Sequence, residues 1–242
     1  MLRAFLFTLC FSSACLSAEE GTPLPEAPKA DPKSEHKALQ PDKSLILETK
    51  PDGTKRVLVA AQVCLREGPL ELFACKKKSK EHEAIVAIDL DAQFIHAALV
   101  AAGAKPGKPV QFVDPKTQES DYKPASGGKI LVSVHYTQDG KAVTMKAQEW
   151  IQDMKTKKPM AHDWVFAGSR LVKNPEKPDS PPVYTANLGE IISISNFTDS
   201  MLELPVKSSN VNDDLLFGAN TEKIPPLLTK VWIILEPEAE KK

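Results

Sequence analysis

The sequence predicts an α+β fold that is mainly β, an antiparallel sandwich or partly closed barrel with one buried helix. Three observations lead there. Short apolar segments recur between turn signals, and in one of them Ile130, Val132, Val134 and Tyr136 alternate with Leu131, Ser133 and His135. A helical period appears once, over about Asp91–Ala102. Proline-rich stretches at Asn174 to Pro182 and Ile224 to Pro226 suit loops between strands and argue against a helical bundle.

In chain order, Lys55 to Arg66 and Leu70 to Cys75 read as strands around Glu67-Gly68-Pro69, taken as a hairpin turn, and Ala84 to Ile88 as a third. The helix has Asp89 or Asp91 as N-cap and Gly103 as stop, and its nearly continuous apolar surface predicts full burial. Val110 to Val113 and Lys129 to Tyr136 follow, and Asp139-Gly140 turns the chain into Lys141 to Trp150. Trp164 to Val172, Val183 to Asn187, Glu190 to Asn196 and Lys230 to Leu235 complete the strands.

The ends read differently. Met1, Leu2 and Arg3, the apolar run Ala4 to Phe11 and small residues after it make residues 1–18 a signal peptide, too short to span a bilayer. The expected cut follows Ala18, which places the protein in the periplasm or outside the cell. The rival is lipoprotein processing at Cys15, the only route by which this chain would meet a membrane. Residues 19–43, with prolines at 23, 25, 28, 32 and 41, read as a disordered Pro-rich spacer. Residues 44–237 then form a single domain, and 238–242 a charged tail. With 31 basic and 32 acidic residues the chain has no single-sign field, which argues against nucleic acid, and no second apolar run is long enough to span a membrane.

Cys64 and Cys75 are the cysteines of the folded region. In a regular hairpin Cys64 faces Glu71, leaving Cys75 about 13 Å further along, and a disulfide needs Cα atoms within about 7 Å. Two alternatives stay open: a disulfide made through a bulge, or two buried thiols. Lys80-Glu81-His82-Glu83 offers His and carboxylate ligands before a strand, and His96 follows on the helix. Glu81, His82, Glu83 and His96, with Cys75 as an extra ligand, form a candidate site for a divalent metal. His82-Glu83 also opens the zinc-protease signature, but Val86 stands where its second His belongs. No nucleophile elbow, Cys-x-x-Cys or dinucleotide fingerprint is present, so no catalytic residues are assigned. Asn196, Ser208, Ser209, Asn220 and Glu222 lie in polar runs that suit turns and caps, and equally a pocket for a small ligand.

Several phrases carry a resemblance: Cys64-Leu-Arg-Glu-Gly-Pro-Leu-Glu71, Lys80-Glu-His-Glu83, Ile95-His-Ala-Ala-Leu99 with Gly103-Ala-Lys-Pro-Gly107, Trp164-Val-Phe-Ala-Gly-Ser169, Ser195-Asn-Phe197, Met201-Leu-Glu-Leu-Pro205, and Asn220-Thr-Glu222 with Ile224-Pro-Pro226. In this order they resemble the YdjY-domain family of exported bacterial proteins, from about residue 55 to residue 237. The family implies a domain and no reaction. Some relatives carry clustered cysteines and a ferredoxin-like label; this chain lacks the cluster, so no iron–sulfur centre is expected. Leu227-Leu228 stands where relatives have a glycine-containing turn. The resemblance places any family site at Lys80 to Glu83, near His96. The reading is an exported, non-catalytic binding or interaction module of the cell envelope, its partner an envelope protein or a small ligand. The alternative is a metal-binding or redox accessory protein using Lys80 to Glu83 and His96, and a hydrolase ranks third.

Overall fold

A computed structural model describes residues 22–113, 120–173, 175–176, 179–209 and 215–239. The expected signal segment, Cys15 and the end of the charged tail lie outside them. Eleven strands share one sheet: β1 (Glu35–Ala38), β2 (Leu45–Thr49), β3 (Lys55–Val63), β4 (Leu72–Lys76), β5 (Ala84–Ile88), β6 (Lys129–Gln138), β7 (Lys141–Lys146), β8 (Trp164–Phe166), β9 (Glu190–Ser193), β10 (Leu202–Glu203) and β11 (Lys230–Pro237).

The sheet closes. In the order β3–β11–β6–β8–β10–β9–β4–β5, with β5 returning to β3, eight strands form a barrel, and two of its pairings, β4–β5 and β9–β10, are parallel. The expected partly closed, antiparallel barrel is thus a closed, mixed one. The predicted hairpin at Glu67-Gly68-Pro69 is corrected: β3 and β4 do not pair, because β5 lies between them. Gly68 has a positive φ of 95°, but its carbonyl accepts the N–H of Ala219 from a distant segment.

The hairpin at Asp139-Gly140 forms as its sequence dictates. Both residues take positive φ, 50° and 73°, the conformation that a two-residue turn between twisted strands requires, and Gln138 faces Lys141 across it. β7 and β2 run past the barrel, giving a continuous sheet β1–β2–β3–β11–β6–β7 with an outer face of its own.

The single α-helix, α1 (Ala92–Ala101), ends at Gly103, whose φ of 93° lets the Gly103 and Ala104 N–H groups return to Val100 and Leu99. Its burial is one-sided: Ala92, Ile95, Ala98 and Leu99 face the core, whereas Phe94 and Val100 are 42% and 48% exposed. Inside the barrel Phe73 packs against Trp150 and Trp164, with centroids 6.3 and 5.9 Å away, and Tyr136 meets Trp150 edge-on at 5.6 Å. The Trp164 indole donates to the Ser193 carbonyl at 2.8 Å, fastening β8 to β9.

The spacer expectation is also corrected. Residues 22–30 form an ordered strap across the outer face of the six-strand sheet, where Leu24 and Ala27 pack on Ile46, Leu58, Trp232 and Ile234. The Trp232 indole donates to the Pro25 carbonyl at 2.9 Å and Arg56 to the Pro28 carbonyl at 2.9 Å. Proline lacks an N–H but keeps its carbonyl, so a Pro-rich strand is held through acceptors.

Candidate functional site

Two polar clusters meet at residues 195–198, on the outer wall of the barrel. The first begins with the cysteines. Cys64 donates its N–H to Ile85, and Cys75 pairs with Ala87 on the other side of β5. Their side chains share an apolar patch with Leu72, Ala84 and Phe197. Both are free thiols. Cys64 Sγ donates to the Ala84 carbonyl at 3.1 Å. The neighbouring Cys75 thiol, and then burial, push the Cys64 thiol well above its ordinary value, while the contact from Cys64 lowers that of Cys75. The two thiols meet across β5 as a hydrogen-bonded pair and are not joined. We therefore expect alkylation of the denatured, unreduced protein to label the Cys64 and Cys75 peptides alike; loss of two mass units with no label would contradict this.

Phe197 roofs this patch and also carries Lys80, whose Nζ sits 4.7 Å from its ring centroid. Lys80 Nζ lies 3.1 Å from Glu190, 3.3 Å from Glu83 and 3.7 Å from Glu71. One ammonium serving three carboxylates leaves excess negative charge. Burial, and then the nearby Glu83, raise the Glu71 carboxyl above the usual range. Lys80→Met should cost about 2 kcal/mol at pH 7 and less at pH 5, where proton uptake relieves the repulsion; urea unfolding at both pH values checks this.

The four proposed metal ligands do not form one set. His82 is 77% exposed, and its Nε2 lies 3.7 Å from Glu83. Glu81 accepts the Lys78 N–H at 3.1 Å. His96 belongs to another environment: its Nδ1 is 2.9 Å from the Tyr184 hydroxyl, which donates to the Gly168 carbonyl at 3.0 Å, and its ring packs on Phe166 at 4.7 Å. Burial lowers its pKa. Among the described residues, no three His, Cys, Asp or Glu side chains are grouped so as to hold a metal ion.

The second cluster centres on Glu203. Leu202 and Leu204 enter the core, so strand alternation sends Glu203 to the outer wall beside the small patch of Ala125, Val165 and Ala167. The excursion between α1 and β6 covers it, and Glu203 is fully buried. It accepts the N–H of Val110 at 3.1 Å, the Asn196 amide at 3.3 Å and the N–H of Phe197. Burial outweighs these donors and lifts its pKa from 4.5 to about 8. Asn196 Nδ2 also donates to the Val206 carbonyl at 3.1 Å, and its Oδ1 accepts the Ser208 N–H at 2.6 Å. Ser209 Oγ is 2.9 Å from Ser195 Oγ.

Two hydroxyls here have no hydrogen-bond partner among the described residues although their oxygens are buried: Ser208 Oγ, and Tyr122 Oη, whose pKa is raised by burial and by the Glu203 charge. Phe112, its ring 6.0 Å from that of Tyr122, lines an adjoining cavity of about 290 Å³ with Pro109, Val110, Val113, Arg170 and Thr198. Of the five polar candidates, Asn196, Ser208 and Ser209 thus converge. Asn220 and Glu222 do not: Asn220 donates to the Glu149 carbonyl at 3.0 Å, beside the loop held by Arg66, and Glu222 is exposed. Glu203 and Tyr122 escaped the sequence reading, although a lone acid between leucines in Leu202-Glu-Leu204 is a signal of its kind.

The site is thus a buried carboxyl on the wall of a closed barrel, with a segment between α1 and β6 packed against it and a cavity beside it. The chain belongs to the YdjY-domain family, whose description matches residues 52–236. No curated protein and no solved structure matches it. The strap, β1 and β2 precede the matched span.

Proposed function

We propose that the protein is an exported, non-catalytic binding module of the bacterial cell envelope that takes a small ligand in the pocket beside Glu203. The observation that carries this reading is the unsatisfied pair Tyr122 Oη and Ser208 Oγ around a buried carboxyl, because buried polar atoms are otherwise almost always paired. Support for export comes from the signal features of residues 1–18, and no helix among the described residues is long and apolar enough to cross a membrane. An interaction role draws support from exposed apolar residues on the short hairpin of Leu171–Val172 and Val183–Tyr184, where Val172 faces Val183 and both are nearly half exposed.

Hydrogen exchange with and without a low-molecular-mass envelope extract tests the pocket. The Val110 and Phe197 amides should exchange more slowly with the extract, and Tyr122→Phe should reduce that protection. Protection confined to other segments would contradict the reading. A redox accessory role is the second reading, favoured by the Cys64 and Cys75 contact, and the alkylation experiment separates the two.

A further inference from the structure

The outer face of the six-strand sheet holds a second cavity, away from Glu203. The strap covers the Trp232 end of this face. Toward the other end, β6 pairs with β8 through Lys129 and Ile130 and with β7 from Ser133 onward, so the two neighbours part and leave an opening of about 350 Å³. Its floor is apolar, with Leu131 and Ile234, and register places Ser133 between Ile234 and Lys146.

The charges around the opening are separated. At one end Lys129 Nζ is shared by Asp163 at 2.9 Å and Glu238 at 3.3 Å, which leaves one negative charge in excess. Gln148, only 6% exposed, donates to Asp163 at 2.8 Å and to the His162 carbonyl at 3.2 Å; its own Oε1 is buried with no donor among the described residues. At the other end Lys146 has no ion-pair partner among the described residues. Arg56 and Glu236, also on the rim, are already committed to Glu48 and Lys50. The opening therefore presents acceptors and excess negative charge at one end and an uncommitted ammonium at the other.

We propose that this cavity binds a short peptide of two or three residues through its free termini, the ammonium at Asp163, Glu238 and Gln148 Oε1 and the carboxylate at Lys146. The length follows from the strand. Asp163 precedes Trp164, which faces Ile130, so it stands level with Leu131, and Lys146 faces Ser133; the two are roughly 7 Å apart along the strand at the usual rise, the Lys146 arm adds a few ångströms, and an extended peptide supplies about 3.5 Å per residue. A single amino acid is too short to reach both ends, and a ligand with one charge leaves the opposite end unanswered.

Isothermal titration of the full chain with trialanine, N-acetyl-trialanine and trialanine amide tests this. Trialanine should bind saturably, and either cap should weaken it by about tenfold or more, the loss of one charge-assisted contact. In Lys146→Ala, an exposed position on an edge strand, trialanine and its amide should bind alike. In Glu203→Gln all three affinities should stay as they are, which separates this site from the other pocket. Absence of saturable heat, capped peptides that bind as tightly as trialanine, or an undiminished preference in Lys146→Ala would each overturn the proposal.

Discussion

Glu203→Gln should stabilise the protein at pH 9 by several kcal/mol while changing it little at pH 5. The carboxyl titrates near 4.5 when solvated and at about 8 in the fold, so the folded state binds its proton more tightly than the unfolded chain does. A raised pKa of this kind contributes stability that is fully present below 4.5 and is lost as pH rises through 8. The whole excursion amounts to about 5 kcal/mol at 1.36 kcal/mol per unit. A glutamine amide does not ionise, so the variant escapes the alkaline loss, at the cost of about 1 kcal/mol where its NH₂ meets donors meant for a carboxylate. Urea unfolding at pH 5, 7 and 9 reads this directly. A variant that tracks wild type across the range would mean that Glu203 is not held in a buried, water-free position.

Glu48→Ala should cost about 3–5 kcal/mol and free the strap. Glu48 is fully buried and takes the Ala30 N–H at 2.6 Å together with the Arg56 guanidinium, and His36 Nε2 stands 3.7 Å away. Burial alone would raise its pKa, but the donors from Ala30, Arg56 and Ser34 win and the net direction is down. Removing the carboxylate strands Arg56 at the sheet surface and unties residues 28–30. Trp232 then loses its cover, so its fluorescence should shift to the red and protease should cut within 22–34 before the barrel yields. A variant that keeps a protected strap and unchanged emission would mean that the apolar contacts of Leu24 and Ala27 suffice.

The contrast between these two carboxylates shows what the sequence could convey. Periodicity located most strands, the helix and the Asp139-Gly140 turn, because each is dictated by local chemistry. It misjudged Glu67-Gly68-Pro69, since a turn signal does not say which strand comes next, and the insertion of β5 between β3 and β4 is a long-range event. Residues 22–30 read as a spacer because proline and charge dominate them, yet their few apolar side chains and free carbonyls find partners on β2, β3 and β11. Asn196, Ser208 and Ser209 were legible as a polar group. Glu203 was not, because only the overlying excursion turns an outward strand position into a buried one.

The most direct test of the Glu203 pocket is native mass spectrometry of the protein purified from its own cells without chelator. A chain carrying one non-covalent small-molecule adduct, diminished in Tyr122→Phe, is the result the pocket predicts. A bare polypeptide, or an adduct that Tyr122→Phe leaves untouched, would contradict it.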